Sequence, residues 1–241
     1  MVKGILLSAM PDAGIVDVSH EVPPFRKDIA SYLLRSTYPH FAQGTVHLVL
    51  VDMFHDTVPR LVCCHYNEQY YIAPDNGILP AAFKTNVIAG RLCFELINGS
   101  TFADCLSAAA RCATLMLAGN IESLPSISLA TTAGEQPERS GADREFTLNV
   151  QYVDHFGNAV TNLHLTQFEK MNPGRRFRLD IMHVAELTAI SGNYSDVAAG
   201  EHLCRFNKNG LMEICVNQGS AANLFGLRPG GQHNYLKIMF E

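Results

Sequence analysis

Thr45-Val46-His47-Leu48-Val49-Leu50-Val51-Asp52 is a nearly uninterrupted run of β-branched residues and leucine. Such a run reads as a strand covered on both faces, the usual state of strands in a parallel sheet with helices on either side. Working outward, Gly14 to Ser19 reads as another strand, and Asp28 to Tyr38 carries the apolar spacing of a helix. Arg60 to Cys64 and Gln69 to Ala73 add two strands. Thr101 to Leu117 reads as a helix, opened by the capping box Thr101-x-x-Asp104 and filled with alanine that permits close packing. The alternation predicts an α/β N-terminal domain over residues 1–125, a mainly parallel sheet with flanking helices.

Residues 126–145 lose this pattern. ATTAGEQPERSGADRE is polar, rich in Gly, Pro and Ser, and without period, which predicts a linker. Beyond it come short strand-like pieces: Phe146 to Val153, Ala159 to His164, Phe177 to Leu179, Leu203 to Phe206, Leu211 to Val216 and Tyr235 to Phe240. Asn209-Gly210 reads as a two-residue hairpin turn, since both positions tolerate positive φ. Residues 146–241 are therefore expected to form a β-rich C-terminal domain, a barrel-like fold or a sandwich.

The composition narrows the classes of function. With 47% hydrophobic and 17% charged residues the chain has ample apolar surface for packed layers, which excludes a disordered chain. A formal charge of -5, with no basic cluster beyond Arg175-Arg176-Phe177-Arg178, gives no electrostatic footprint for nucleic acid or an anionic membrane. No apolar run approaches the ~20 residues of a membrane span, and no signal-peptide pattern is present, so a cytoplasmic location is expected. The seven cysteines are scattered in apolar contexts and read as buried free thiols. Cys63-Cys64-His65 makes no metal site on this reading, because neighbouring strand residues point to opposite faces.

Three blocks carry a resemblance. The first runs from Lys3-Gly4-Ile5-Leu6 through Ile15-Val16-Asp17-Val18-Ser19-His20 to Pro23-Pro24. The second is Pro74-Asp75-Asn76-Gly77. The third is Asp154-His155-Phe156-Gly157-Asn158 with Thr161-Asn162, followed by Asn193-Tyr194-Ser195-Asp196 and Asn217-Gln218-Gly219-Ser220-Ala221. Alone, Pro74-Asp75-Asn76-Gly77 is a good turn and Phe156-Gly157-Asn158 reads equally as a β-bulge. In order and spacing together, the blocks resemble the S-adenosylmethionine hydroxide adenosyltransferases and the related fluorinases and chlorinases.

The resemblance implies a protein that binds S-adenosylmethionine, without a further cofactor, and cleaves the bond between its ribose C5′ and the sulfonium. The attacking group would be water or hydroxide, giving adenosine and methionine. Catalysis then lies in positioning and desolvating the nucleophile, since the sulfonium is already a good leaving group. By carry-over Asn158 would meet the adenine and Asp154 the methionine ammonium, with Phe156 beside them. Phe25 would wall the pocket or make a core contact, and Asn209 would lie at the ligand next to Lys208, where the family more often has a small hydroxyl residue.

Asp52 matches the family's water-handling carboxylate and Arg60 its arginine, one place beyond Pro59, the position in ungapped register. No histidine follows Ser100-Thr101-Phe102, where Ala103-Asp104-Cys105 stand in place of His-Gly-Arg. His55 is either a substitute in another geometry or a solvated loop residue. The family's opening strand, with its ribose-binding aspartate, is absent before Met1-Val2-Lys3-Gly4, and a truncated start is the expected reason. Homotrimers with sites between subunits are also implied. A member that binds adenosine or S-adenosylmethionine without turning it over is the alternative.

Overall fold

In the computed structural model of the chain, residues 1–85, 88–97, 100–131, 137–139, 144–230 and 234–241 are described. They divide into two compact units, Met1–Gly134 and Glu135–Glu241.

The first unit contains α1 (Val2–Ala9), α2 (Lys27–Thr37), β1 (Val46–Leu48), β2 (Arg60–Tyr66), β3 (Gln69–Pro74), α3 (Ile78–Phe83), β4 (Gly90–Glu95), α4 (Phe102–Leu117) and β5 (Ser126–Ile127). Its five-stranded sheet has the order β1-β3-β2-β4-β5. Only β1 and β3 run parallel; the β3–β2, β2–β4 and β4–β5 pairs are antiparallel, which corrects the mainly parallel sheet expected. The reason is the connection between β2 and β3. Asn67 and Glu68 both adopt left-handed backbone (φ 47° and 60°), the geometry of a two-residue hairpin, whereas a parallel pair needs a crossover of a dozen residues or more.

Thr45 to Asp52 yields only the three-residue β1. It lies at the sheet edge, and of its residues only His47 is buried. Gly14 to Ser19 is no strand: it pairs with nothing in the described sheet, and Val16 and Val18 are exposed. Helix α4 forms as expected. Thr101 accepts from the Asp104 amide while the Asp104 side chain accepts from the Thr101 amide. Cys105, Leu106, Ala109, Cys112, Ala113 and Met116 recur at helical spacing and face the core.

The second unit contains β6 (Glu138–Arg139), β7 (Glu145–Thr147), β8 (Val150–Val153), β9 (Ala159–His164), α5 (Leu165–Met171), β10 (Phe177–Ile181), β11 (Ala185–Leu187), β12 (His202–Phe206), β13 (Leu211–Val216), α6 (Ala221–Phe225) and β14 (Leu236–Phe240). Two antiparallel sheets, β11-β10-β14-β7-β6 and β12-β13-β9-β8, share one core that includes Leu163, Leu179, Ile214 and Ile238. Among the described residues they do not close into a barrel, which corrects the barrel-like expectation. The stretch Phe146 to Val153 is split at Leu148-Asn149, so that β7 joins one sheet and β8 the other.

The β12–β13 hairpin is also wider than two residues. Gly210 alone takes positive φ (70°), its amide donates to the Asn207 carbonyl, and Asn207 Oδ1 accepts from the Asn209 and Leu211 amides. The expected linker 126–145 falls partly outside the described residues. Its described parts include β5 and β6. All seven cysteines are free and six are buried, Cys93 being half-buried.

Candidate functional site

In the first unit, three segments converge at one end of the sheet. Because β1 and β3 are parallel, the loop after β1 and the turn after β3 emerge side by side, the place where open sheets present their chemistry. Because β2 is antiparallel to β3, its first residue, Arg60, falls beside the same turn. Asp75 of the Pro74–Gly77 turn is the hub. Its side chain is 2% exposed, Oδ2 accepts from Arg60 Nη2 at 2.6 Å, and Oδ1 accepts from the Ala130 amide at 2.7 Å.

Asn76 ties in the loop after β1. Its Nδ2 donates to the carbonyls of Val51 (3.0 Å) and Asp52 (3.1 Å), and its Oδ1 accepts from the Ile78 amide. Asp52 itself sits at φ 54°, an uncommon conformation for a residue other than glycine, held here by that clamp. Among the described residues nothing pairs with the Asp52 carboxylate. His55 Nε2 lies 3.1 Å from the Asp75 carbonyl oxygen. Asp52, Arg60 and His55 are thus gathered around the second sequence block, and Arg60 points at Asp75. Phe25, at φ 65°, is 76% exposed, and Phe54, two residues after Asp52 in the chain, is exposed as well.

In the second unit, Asp154 to Asn158 form a tight turn between β8 and β9. Asp154 Oδ1 accepts from the amides of Phe156 and Asn158, and Oδ2 accepts from Asn158 Nδ2, all at 2.9 Å. The two polar residues of the third block therefore hold each other. Asn158 is buried while Phe156 projects into solvent, 74% exposed. Gly157 at φ 83° lies against Ser220, whose Oγ would be 2.0 Å from an added Cβ. Its carbonyl accepts from the Ala222 amide, so the end of the Asn217–Ala221 motif packs onto the Asp154 turn. Asn209 lies in the β12–β13 loop.

Sequence reasoning missed a buried polar cluster next to this turn. Glu213 on β13 is 4% exposed, and its Oε1 accepts from Tyr194 Oη (3.0 Å) and Arg205 Nη1 (3.4 Å). The Arg205 guanidinium lies 4.7 Å from the Tyr194 ring centre. Burial pushes the Glu213 carboxyl up. Bonds from Tyr194, Arg205 and Asn207 oppose that shift, and the Asp154 charge adds to it. Only the polar Glu213 within the apolar run Leu211 to Val216 signals this in the sequence.

The sign of that shift predicts a pH dependence. A carboxyl raised in the folded state favours folding when protonated, so its contribution is full below the ordinary carboxylate range and is lost as pH rises through the raised value. Glu213→Gln is therefore expected to flatten the pH dependence of the urea midpoint above the ordinary carboxylate range relative to the parent protein. An unchanged pH slope would contradict it.

Among the described residues no group of three or more His, Cys, Asp or Glu side chains could hold a metal ion, and no helix is long and apolar enough to cross a membrane. Residues 1–109 match the family model of the SAM hydroxide adenosyltransferase N-terminal domain, and residues 148–234 that of the C-terminal domain. The chain is 28% identical to the (R)-S-adenosyl-L-methionine hydrolase of Salinispora arenicola, over 95% of this chain and 88% of that protein. With the enzyme of the same name from Thermus thermophilus it shares 27% identity, over 95% and 91% respectively. A crystal structure of an uncharacterized conserved protein from Thermotoga maritima superposes with a TM-score of 0.79 at 28% identity, covering 99% of this chain and 93% of that one. Two matching domain models in order, over most of the sequence, place this chain in the SAM hydroxide adenosyltransferase family.

Proposed function

We propose that the protein is an S-adenosylmethionine hydrolase that releases adenosine and L-methionine, acting as a cytoplasmic homotrimer with sites between subunits and no further cofactor. The observation that carries this reading is the match of both domain models, together with relatives named (R)-S-adenosyl-L-methionine hydrolase that align with nearly the whole chain. Asp52 is the water-handling carboxylate and Arg60 the arginine of the reaction, in a domain of residues 1–125. Residues 146–241, joined to it by 126–145, bind the ligand through Asp154, Phe156, Asn158 and Asn209, and Phe25 walls the pocket.

Physical support comes from the convergence at the sheet end. Asp52, whose carboxylate has no partner among the described residues, is tied by Asn76 to the same turn that holds Arg60 through Asp75, and a carboxylate and an arginine together suit orienting water and steadying developing hydroxide. The exposed rings of Phe25 and Phe156 are each able to cover a purine or a subunit face. Incubation of the pure protein with S-adenosylmethionine, followed by chromatography, is expected to yield adenosine and methionine in equal amounts. Release no faster than the uncatalysed background would overturn the reading.

A second reading, an adenosine- or S-adenosylmethionine-binding protein without turnover, is favoured by one observation. Asp104, in the stretch where the family resemblance implies a histidine, serves as half of the capping box of α4. Calorimetry with intact ligand recovered afterwards is its signature.

A further inference from the structure

We infer that Arg35 and Lys84 together bind a phosphate-bearing anion, at a site separate from the Asp75 turn and independent of the hydrolase reading. Arg35 stands in the last turn of α2, and Lys84 caps α3 at the end away from the Asp75 turn. Packing brings the two helix ends together. Tyr38, just after α2, sets its ring edge-on to that of Phe83, 5.6 Å away, and Lys84 follows Phe83 in the chain. The Arg35 guanidinium lies 5.7 Å from the Tyr32 ring centre.

What the cluster lacks is an acid. Arg35 Nε is buried with no hydrogen-bond partner among the described residues, and neither Arg35 nor Lys84 meets a carboxylate among them. Burial pulls both cations below their usual ranges, and for Lys84 the Arg35 charge adds to the effect. Two cations brought together without a counter-ion are costly, and a buried N–H with no acceptor adds to the cost. The carbonyl ends of α2 and α3 favour a nearby cation but give Nε no acceptor. A phosphate group answers both needs, since its oxygens accept from a guanidinium fork and its charge offsets both cations. A hydroxyl donor stands in the same cluster. Tyr38 Oη accepts from Asn67 Nδ2 at 3.5 Å, which leaves its own O–H to donate, and the buried Tyr71 hydroxyl, on a ring 5.9 Å from that of Tyr38, has no partner among the described residues. Lys84 is exposed and Arg35 half-buried, so the site opens to solvent. On a chain of net charge -5 this basic spot is local and not part of a general anion-attracting surface.

Calorimetry of the whole protein with inorganic phosphate, against sodium chloride at matched ionic strength, is expected to show saturable binding with a Kd of about 1 mM or tighter. Glycerol 3-phosphate in a parallel arm tells a free phosphate ion from a phosphate monoester by which of the two binds more tightly. Lys84→Gln and Arg35→Met are each expected to weaken that binding about 10-fold or more, the size of one lost charged hydrogen bond. Methionine keeps an apolar stem against Tyr32. Without phosphate both variants are expected to melt at the parent temperature or above it, because each removes one of two repelling charges. Absence of saturable binding by both probes overturns the inference, and so does parent affinity in Lys84→Gln, whose exposed side chain is replaced without disturbing the core. A lowered phosphate-free melting temperature in Lys84→Gln overturns it as well, since the charge would then have its partner within the protein.

Discussion

Arg60→Met is expected to lower the unfolding free energy of the protein by about 3 kcal/mol, read from urea midpoints at neutral pH. The effect comes from the residue left behind. The Asp75 side chain is 2% exposed and keeps a bond from the Ala130 amide, but without Arg60 its charge has no counter-ion in a site that water barely reaches. Arg60 is itself 38% exposed, which sets the figure at the lower end for a broken buried pair. Arg60→Met combined with Asp75→Asn is expected to recover much of the loss, since the amide oxygen still accepts from Ala130 and no charge is stranded. A double mutant as unstable as the single one would show that the pair is not the source. Hydrolysis is expected to stay low in the double mutant, which separates Arg60's part in the reaction from its part in the fold.

The second large effect is Gly157→Ala, expected to cost about 3 kcal/mol or more. Two separate penalties add. A backbone at φ 83° is strained for any residue with a Cβ, and here that atom would lie 2.0 Å from Ser220 Oγ and 3.0 Å from Ser220 Cα. Ser220 is also the N-cap of α6, accepting from the Asn223 amide, so it cannot withdraw without releasing that helix. Adding Ser220→Gly should remove the side-chain overlap at a cost of only a few tenths of a kcal/mol in capping. The backbone strain should remain. Ligand affinity of the single mutant, measured by calorimetry below its melting temperature, is expected to fall as well, because the same turn orients Asp154 and Asn158.

The sequence was most legible where local pattern and final environment agree. Strands β9 and β13 end at the residues expected from the sequence, since both are central in their sheet and buried along their length except at His164. Thr101 and Asp104 announce α4 because capping is a contact between near neighbours. Sheet direction was not legible in the same way. It is decided by Asn67-Glu68, and a glutamate at φ 60° is a poor advertisement for a hairpin. That turn also explains Arg60. Counting outward from it pairs Leu61 with Pro74 and sets Arg60 beside Asp75, so the ion pair was latent in the register.

The Asn76 clamp on Asp52 leaves no such trace. A side chain bonding to carbonyls some 24 residues away produces no period and no motif spacing. Helices α3, α5 and α6, of five to seven residues, are likewise too short for an apolar repeat to declare them. Glu213 is the instructive miss. A lone acid in an apolar strand reads as an outward-facing residue, yet here it is buried and meets Tyr194 and Arg205.

The position of β14 has a bearing on how the second unit is made. Leu236 to Phe240 form the middle of the β11-β10-β14-β7-β6 sheet, between β10 and β7. During synthesis that sheet exists only as two unjoined fragments until residue 240 has left the ribosome. Because β7 and β8 are separated by two residues and feed opposite sheets, neither sheet can settle its packing long before the other. The half that holds the Asp154 turn is therefore expected to complete its folding only once β14 is available, with slow kinetics from its long-range pairings and with open strand edges for a chaperone to shield in the interval.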